Sequence, residues 1–550
     1  MSLEIPLGKR SPFYRFLEIL PAVTSYGAIA LLIILSFTNP LLGVIYLLVI
    51  ITATLVKAIS IAYRTLGGHA VLVKAMRAEW PARLAHLENP EKYRQILKYE
   101  KSSSYDHTRH LNILNAIADA KPGYFPKPSQ IYHAVIIATY NESLDTLIPT
   151  IDSVAATSYP KERMIILLAY EERGGPATER NAIKLQKIYK KKFKDFIIVK
   201  HPDGLPNEII GKGANITYAG HALADYVEAE HIKFSDVIVT TLDSDNRPHH
   251  AYFDYVAYEY VVHEDRKHLS YQPISLFMNN IWDAPAPMRV IATGNSFWNI
   301  ISSMRPHSIR NFASHSQPLD ALHEMKFWST RSIVEDGHQY WRSYFHFKGD
   351  YAVLPIHIPI YQDAVLSHSL WKTLKAQFIQ LRRWGYGSSD IPYVGTRVFS
   401  RKRKVPLLDG LAKFWRLYDS HVTVASTAPL VAFGGWIPLI VNGWSASRSL
   451  ITHQLPTIVS HIQTFAMLGL FITIMLSIRM LPPRPARYRR HRTIFMVLQW
   501  VLMPATSIIY QSFAYFYSQT RLALGLYMEK FDVTDKATVP SEPVNKLKRK

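Results

Sequence analysis

The chain carries a short acidic signature, Asp243-Ser244-Asp245, inside the run DVIVTTLDSDN at residues 236–246. Two carboxylates flanking a small residue suit a hard divalent cation shared with phosphate oxygens, because such ions take one or two acids from the protein and complete their shell from a substrate. A lone pair of this kind is more often an acidic turn. Three other stretches would give a bound cation a purpose. In GKGAN, residues 211–215, two glycines bracket Lys212, which brings an ammonium and backbone N–H groups together as a phosphate requires. The Walker spacing is absent, and a surface turn explains the stretch about as well. In SIVEDGHQYW, Glu335 and Asp336 stand at an expected helix start. The helix dipole keeps carboxylates ionised there, and Asp336 is placed to accept a proton from a hydroxyl; simple helix-start charge is the alternative. QLRRW, residues 380–384, supplies Gln380, Arg382, Arg383 and Trp384 at the end of a basic amphipathic segment. Cations beside an indole face suit a diphosphate next to a sugar ring, or else a helix lying on a membrane surface.

These residues need a scaffold. The β-branched and apolar run 237–242 reads as a buried parallel strand with the acids at its carboxyl end, where α/β sheets bind ligands. AVIIATYNES from Ala134, the run 164–170 leading into Glu171, Glu172 and Arg173, and the run 196–200 read as three more strands. A helix over 144–157 and a lysine-rich one before 196 alternate with them. The β-α-β-α-β order predicts an α/β, Rossmann-like fold: a mostly parallel sheet with helices on both faces. Further on, 249–263 reads as a helix and 271–287, rich in aromatics and prolines, as irregular. ATGNSF, residues 292–297, reads as a turn after a short strand, with Gly294, Asn295 and Ser296 small enough for close backbone approach to a ligand. The 23 histidines show no zinc spacing and read as core or surface residues.

The apolar residues, 48% of 550, are spread unevenly. Runs 20–37 and 41–63 have spanning length, with Thr38-Asn39-Pro40 between them, and are too long and too clearly doubled for a cleaved signal peptide. Lys9, Arg10 and Arg15 precede this hairpin and Arg64, Lys74 and Arg77 follow it, so both flanks, and everything up to the next span, are expected in the cytoplasm. Runs 421–441 and 458–478 read as further spans, separated near Arg448. Run 493–517 is long enough for another, yet Lys546, Lys548, Arg549 and Lys550 argue for a cytoplasmic C-terminus, so a hairpin or re-entrant segment broken at Pro504 is expected. The formal net charge of +21 collects at 401–404, 484–492 and 546–550, where membrane lipids with anionic heads, and no nucleic acid, are the expected partners. The absence of cysteine excludes disulfides, thiolate metal sites and a cysteine nucleophile. The expected division is a transmembrane hairpin over 1–65, a cytoplasmic connector over 66–130 with a surface helix at 70–80, a catalytic domain over 131–400, a second transmembrane region over 401–525 and a disordered basic tail over 526–550.

Taken in order, TYNE (139–142), GKGAN, DSD, GNS (294–296), ED and QLRRW form a series that resembles the membrane-embedded family 2 glycosyltransferases, the group of cellulose, chitin and hyaluronan synthases. The likeness covers roughly residues 130–390 and the membrane helices on both sides. It implies a GT-A domain inserted between N- and C-terminal transmembrane helices in the cell membrane, a nucleotide-sugar donor, UDP-linked by first expectation, and inversion at the anomeric carbon. By position, Thr139, Tyr140 and Glu142 would contact the nucleoside, with Glu171 beside them, and Lys212 the diphosphate. Asp243 and Asp245 would hold Mg2+ or Mn2+ on that diphosphate, and Asp336 would be the base. Gln380, Arg383 and Trp384 would close over the diphosphate and the acceptor sugar, with Gly294, Asn295, Ser296 and Glu335 near the acceptor. One departure bears on donor identity: the family usually has an aspartate pair after the second strand, where this chain has Glu171-Glu172-Arg173. The expected activity is elongation of a polysaccharide that passes between the membrane helices. The alternatives are transfer of one sugar to a polyprenyl phosphate or glycolipid acceptor, and a non-enzymatic assembly role, against which the intact acids 243, 245 and 336 argue.

Overall fold

The computed structural model describes residues 3–99, 104–446 and 450–532. Eight strands, β1 (Tyr132–Thr139), β2 (Met164–Glu171), β3 (Asp195–His201), β4 (Val237–Asp243), β5 (Arg247–Pro248), β6 (Leu269–Leu276), β7 (Ser316–Pro318) and β8 (Ala352–Tyr361), form one sheet in the order β3-β2-β1-β4-β7-β6-β8-β5. The first four in that order are parallel. Beyond β4 the sheet is mixed: β7 is antiparallel to β4 and β6, whereas β6 and β8 are parallel.

Alternation along the strands builds the parallel half. Ala134, Ile136, Ile165 and Leu167 leave one face and meet Ile216, Ala219, Leu223 and Val227 of the helix Lys212–Ala229. Their neighbours Val135, Ile137, Ile166 and Leu168 leave the other face, into the cluster that holds Leu147, Ile151 and Val154 of the helix Leu144–Ala155. Spacings of three and four residues set one stripe of each helix on the sheet. Each buried leucine, isoleucine or valine stabilises this sandwich by roughly 1.5–3 kcal/mol. The consequence for function is register: Thr139 pairs with Tyr170 and Ala138 with Asp243, so Thr139, Glu171 and Asp243 stand along one carboxyl edge.

Among the described residues four helices, Pro12–Thr38, Pro40–Met76, Leu407–Gly443 and Arg492–Ala523, are long and apolar enough to cross a membrane. Large apolar side chains such as Phe37, Val49, Val56 and Ile59 stay exposed on them, as expected of surfaces that meet lipid rather than water. The helix Leu450–Met480 covers the expected run 458–478.

Several expectations need correction. The helix Pro40–Met76 runs well past residue 63 and absorbs the start of the expected surface helix, and the connector is ordered into Trp80–His86, Pro90–Leu97 and His107–Asp119. Trp80 anchors it, its indole stacked on Tyr255 at 3.5 Å between ring centres. The stretch from 271 onward is not all irregular, because β6 covers its beginning; Pro273, which has no N–H to give the ladder, sits at a register shift in the pairing with β8. Residues 292–297 form no turn: they lie inside the helix Ala286–Ser303, which buries Met288, Ile291, Ala292 and Ile300 along one side. The segment 493–517 does not fold back at Pro504. That proline lies in the first turn of a short α-helical stretch, Met503–Thr506, between a 3-10 turn, Gln499–Leu502, and a π-helical one, Ser507–Ser512, where its missing N–H is tolerated and the helix continues. The described part of the expected tail, 526–532, is not free: it docks against Ile210, Arg382 and Arg383. Arg448 and the basic run 546–550 lie outside the described residues.

Candidate active site

Lys212 is the hub of the carboxyl edge. It is the first residue of its helix, and its Nζ lies 2.7 Å from Asp243 Oδ1, 3.4 Å from Asp336 Oδ1 and 3.5 Å from Glu335 Oε1. Gly213 permits this convergence: a Cβ there would stand 2.4 Å from the Ser329 carbonyl oxygen and 3.1 Å from Glu335 Cβ, forcing the helix start away from the acidic turn. Burial disfavours the charged ammonium, but Asp243, Asp336 and Glu335 outweigh it and hold Lys212 protonated well above its ordinary range. Glu335 is the deeper of the adjacent acids. Burial and then the Asp336 charge push its carboxyl well above the usual range, against the pull of Lys212. The Asp336 side chain is 25% exposed where that of Glu335 is 4%, so Asp336 is the acid of this pair that a hydroxyl can reach. Arg383 faces the same cluster: burial lowers its pKa, and Glu335, Asp243 and Asp336 oppose that.

The acidic loop is held from several sides. Thr150 Oγ1 donates to the Ser244 carbonyl at 2.7 Å, Asn279 Nδ2 donates to the Asp245 carbonyl at 3.0 Å, and the Asp363 N–H donates to Asp245 Oδ2 at 3.2 Å. Among the described residues no three His, Asp or Glu side chains converge as a metal cage. Two aspartates on a braced loop, one of them at the open edge, fit the hard-oxygen chemistry of Mg2+ or Mn2+ that draws its other ligands from phosphate and water.

On the other side of β1, Glu142 organises rather than merely lines the edge. Its Oε2 accepts from Thr139 Oγ1 and from the Tyr140 N–H, both at 2.7 Å, and its Oε1 accepts from Ser244 Oγ at 3.2 Å. The strand end and the acidic loop are thereby tied through one carboxylate. The Tyr140 ring lies under the Arg173 guanidinium at 4.5 Å, and Arg173 is paired with Glu171. Gly174 has to be glycine here, since a Cβ would meet the Tyr140 carbonyl at 2.0 Å. The departure noted in the sequence thus builds a stacked Glu171-Arg173-Tyr140 group. Asn215, which no sequence pattern singles out, donates to the Ala169 carbonyl at 3.0 Å and fixes the Lys212 helix to the end of β2.

The remaining candidates divide. Gln380, Arg383 and Trp384 lie on the helix Leu370–Gly385, with Gln380 Oε1 accepting from Gln377 Nε2 at 3.1 Å and the Trp384 ring 6.3 Å from that of Phe277. Ser296 Oγ accepts from the Phe277 N–H at 3.0 Å, so it supports the residue beside Trp384. Gly294 has open space where a Cβ would stand, and Asn295 accepts from Asn299 within its own helix.

Sequence reasoning missed the segment after the last membrane helix. The Phe531 N–H donates to the Ile210 carbonyl at 2.8 Å, and the Phe531 ring lies under the Arg383 guanidinium at 3.9 Å. Asp532 pairs with Arg382 and accepts from Arg383 Nη1 on its carbonyl at 3.2 Å. This strap joins the loop before Lys212 to the arginines of QLRRW. No local pattern marks it, since one aromatic and one acid after a helix end have no period.

No family model matches the sequence, and no curated protein matches it. Among solved structures, a mannosyltransferase of Pyrobaculum calidifontis, PcManGT, in complex with GDP-Man and Mn2+, is similar over 75% of this chain and 96% of its own, at 12% identity and a TM-score of 0.38. S. aureus TarS in complex with UDP-GlcNAc is similar over 72% and 92%, at 12% identity and a TM-score of 0.32. At these scores neither likeness bears on what this chain binds or does.

Proposed function

We propose that the chain is an inverting, metal-dependent glycosyltransferase of the GT-A type that uses a nucleotide-sugar, UDP-linked by first choice, to elongate a polysaccharide at a membrane. The observation that carries this reading is the convergence of Asp243, Glu335 and Asp336 on Lys212 at the carboxyl edge of the sheet, with Arg383 facing the same acids. Sugar transfer needs these parts: a base for the acceptor hydroxyl, and positive charge for a departing diphosphate. The acceptor oxygen bonds to the anomeric carbon as the bond from that carbon to the diphosphate breaks, and the hydroxyl proton passes to the Asp336 carboxylate. Lys212 and Arg383 stand beside the leaving group. A divalent cation held by Asp243 and Asp245 supplies further charge neutralisation when bound. Thr139, Tyr140 and Glu142, with the Glu171-Arg173 pair, form the nucleoside side, and Gln380 and Trp384, supported by Phe277 and Ser296, the acceptor side.

The catalytic unit is assigned to residues 131–400. On this reading the protein is a multi-pass protein of the cell membrane with this unit in the cytoplasm, which the four membrane-length helices and the basic residues on both sides of the N-terminal hairpin support. The test is incubation of purified full-length protein with labelled UDP- and GDP-sugars and Mn2+. Polymer that stays at the chromatographic origin is the expected product. A single sugar recovered in an organic extract would replace elongation by transfer to a lipid acceptor. No transfer from any donor, with cellular glycan unchanged by Asp336→Asn, would overturn the enzyme reading altogether.

A further inference from the structure

A second cationic region lies outside the active site, where the helix Arg492–Ala523 begins beside the helix Ala286–Ser303. The two helices leave a groove of about 500 Å³ between them, within the roughly 300–1,000 Å3 of sites that take small molecules. Its floor is apolar, with Phe495, Leu498 and Val501 exposed, and Arg289 and Arg492 stand at its head. Both guanidiniums have only neutral partners among the described residues. Arg289 donates from Nη1 to the Ala284 carbonyl at 2.7 Å and from Nε to the Gln499 side chain; Arg492 donates from Nη2 to the Trp282 carbonyl at 3.0 Å and lies 5.1 Å from the Tyr488 ring centre. Arg492 Nε is buried and makes no hydrogen bond. The one acid lining the groove, Asp283, is engaged by Arg487 at 2.8 Å and by the Tyr488 hydroxyl at 2.6 Å. Burial, and then the neighbouring Arg492 charge, lower the Arg289 pKa to about 10, as two cations without a shared anion require.

We propose that this groove seats an anionic phospholipid, with its phosphate between Arg289 and Arg492 and an acyl chain along Phe495, Leu498 and Val501. Head and floor select the occupant together. Two unneutralised guanidiniums favour a phosphate diester without a cation of its own, which distinguishes phosphatidylglycerol from phosphatidylcholine. An apolar floor opening at the end of a membrane-length helix favours a tail over a free phosphate. The site holds or fails independently of sugar transfer.

Full-length protein in detergent, titrated with phosphatidylglycerol or with phosphatidylcholine and observed by native mass spectrometry, tests it. Wild type is expected to retain phosphatidylglycerol at one saturable site and to lose phosphatidylcholine. Arg492→Gln is expected to weaken retention about fivefold, the loss of roughly 1 kcal/mol per interfacial cation. Leu498→Trp, at an exposed position that leaves the core intact, is expected to weaken it by filling the floor. Equal retention of the two lipids, or unchanged retention in both variants, overturns the proposal. Displacement of phosphatidylglycerol by equimolar inorganic phosphate would reduce the site to a simple anion site and overturns it as well.

Discussion

Two cationic centres of the protein stand in opposite company, one among acids and one among neutral groups. Lys212 has three carboxyl groups within 3.5 Å, two of them the aspartates Asp243 and Asp336, and no need of a ligand to offset its charge. Arg289 and Arg492 have carbonyls, an amide and a ring for company, while the nearby acid is taken by another arginine. A surplus of acids around an ammonium suits a site where a cation binds and a proton is accepted, because the arrangement tolerates added positive charge. A surplus of guanidinium suits a site that holds an anion at rest.

The sharpest way to break this contrast is to remove the proton acceptor without disturbing the charge lattice around it. Asp336→Asn is nearly isosteric, and turnover is expected to fall about 10²–10⁴-fold, the usual worth of a positioned base. Nucleotide binding in the presence of Mn2+, read by calorimetry, is expected to persist. A variant that keeps its rate would move the base elsewhere and leave the acidic cluster structural. Removing the ammonium is next in size. Lys212→Met leaves the acids facing each other in a buried place, and a loss of about 3–5 kcal/mol of stability is expected, as for other broken buried pairs. Adding Glu335→Gln to it should recover part of the loss, and a double variant that melts no higher than Lys212→Met would show the two residues to be uncoupled.

Glu335 alone gives a smaller effect with a definite sign. Its carboxyl in the folded protein titrates above its ordinary value of 4.5. Below that value both folded and unfolded chains carry the proton and the group contributes nothing to the pH dependence. As pH rises through it, the unfolded chain releases the proton while the folded one keeps it, so stability falls with rising pH until the folded group also ionises. Glu335→Gln lacks this loss. The melting temperature of the variant relative to wild type is therefore expected to rise between pH 5 and pH 8. A difference that stays flat across that range would mean that Glu335 titrates normally and that Glu335 and Asp336 do not divide into a buried neutral acid and a reachable base.

The sequence conveyed these acids because they end elements that local patterns announce. Asp243 follows six consecutive residues fit for a buried strand, and Glu335 and Asp336 open a helix, so their positions at a ligand-facing edge follow from periodicity and from the carboxyl-end rule. Convergence on Lys212 was not legible, since it depends on Gly213 letting two elements more than a hundred residues apart in sequence touch. Glu142 was legible as a polar residue at a strand end but not as the carboxylate that ties Thr139 to Ser244. Phe531 and Asp532 were not legible at all: their partners Ile210, Arg382 and Arg383 are distant in sequence, and short irregular segments have no period to read. The four apolar helices were visible as composition, whereas the course of the chain through Pro504 turned on pitch changes that composition does not encode.

The helix Ala286–Ser303 joins the two centres, with Arg289 at the groove and Ser296 beneath Phe277 on the Trp384 side, and Gly294 between them separates a structural from a functional account of that helix. A glycine retained for close approach of an acceptor would tolerate no methyl group. At Gly294 a Cβ would meet no protein atom within 4 Å, and the backbone is helical on both sides. Alanine in a helix interior is favoured over glycine by about 0.8–1.0 kcal/mol, so Gly294→Ala is expected to raise the melting temperature slightly and to leave sugar transfer and lipid retention unchanged. Transfer lost in a variant that melts at or above wild type would place an acceptor sugar against this helix after all, and would assign Gly294 to the active-site side of the molecule.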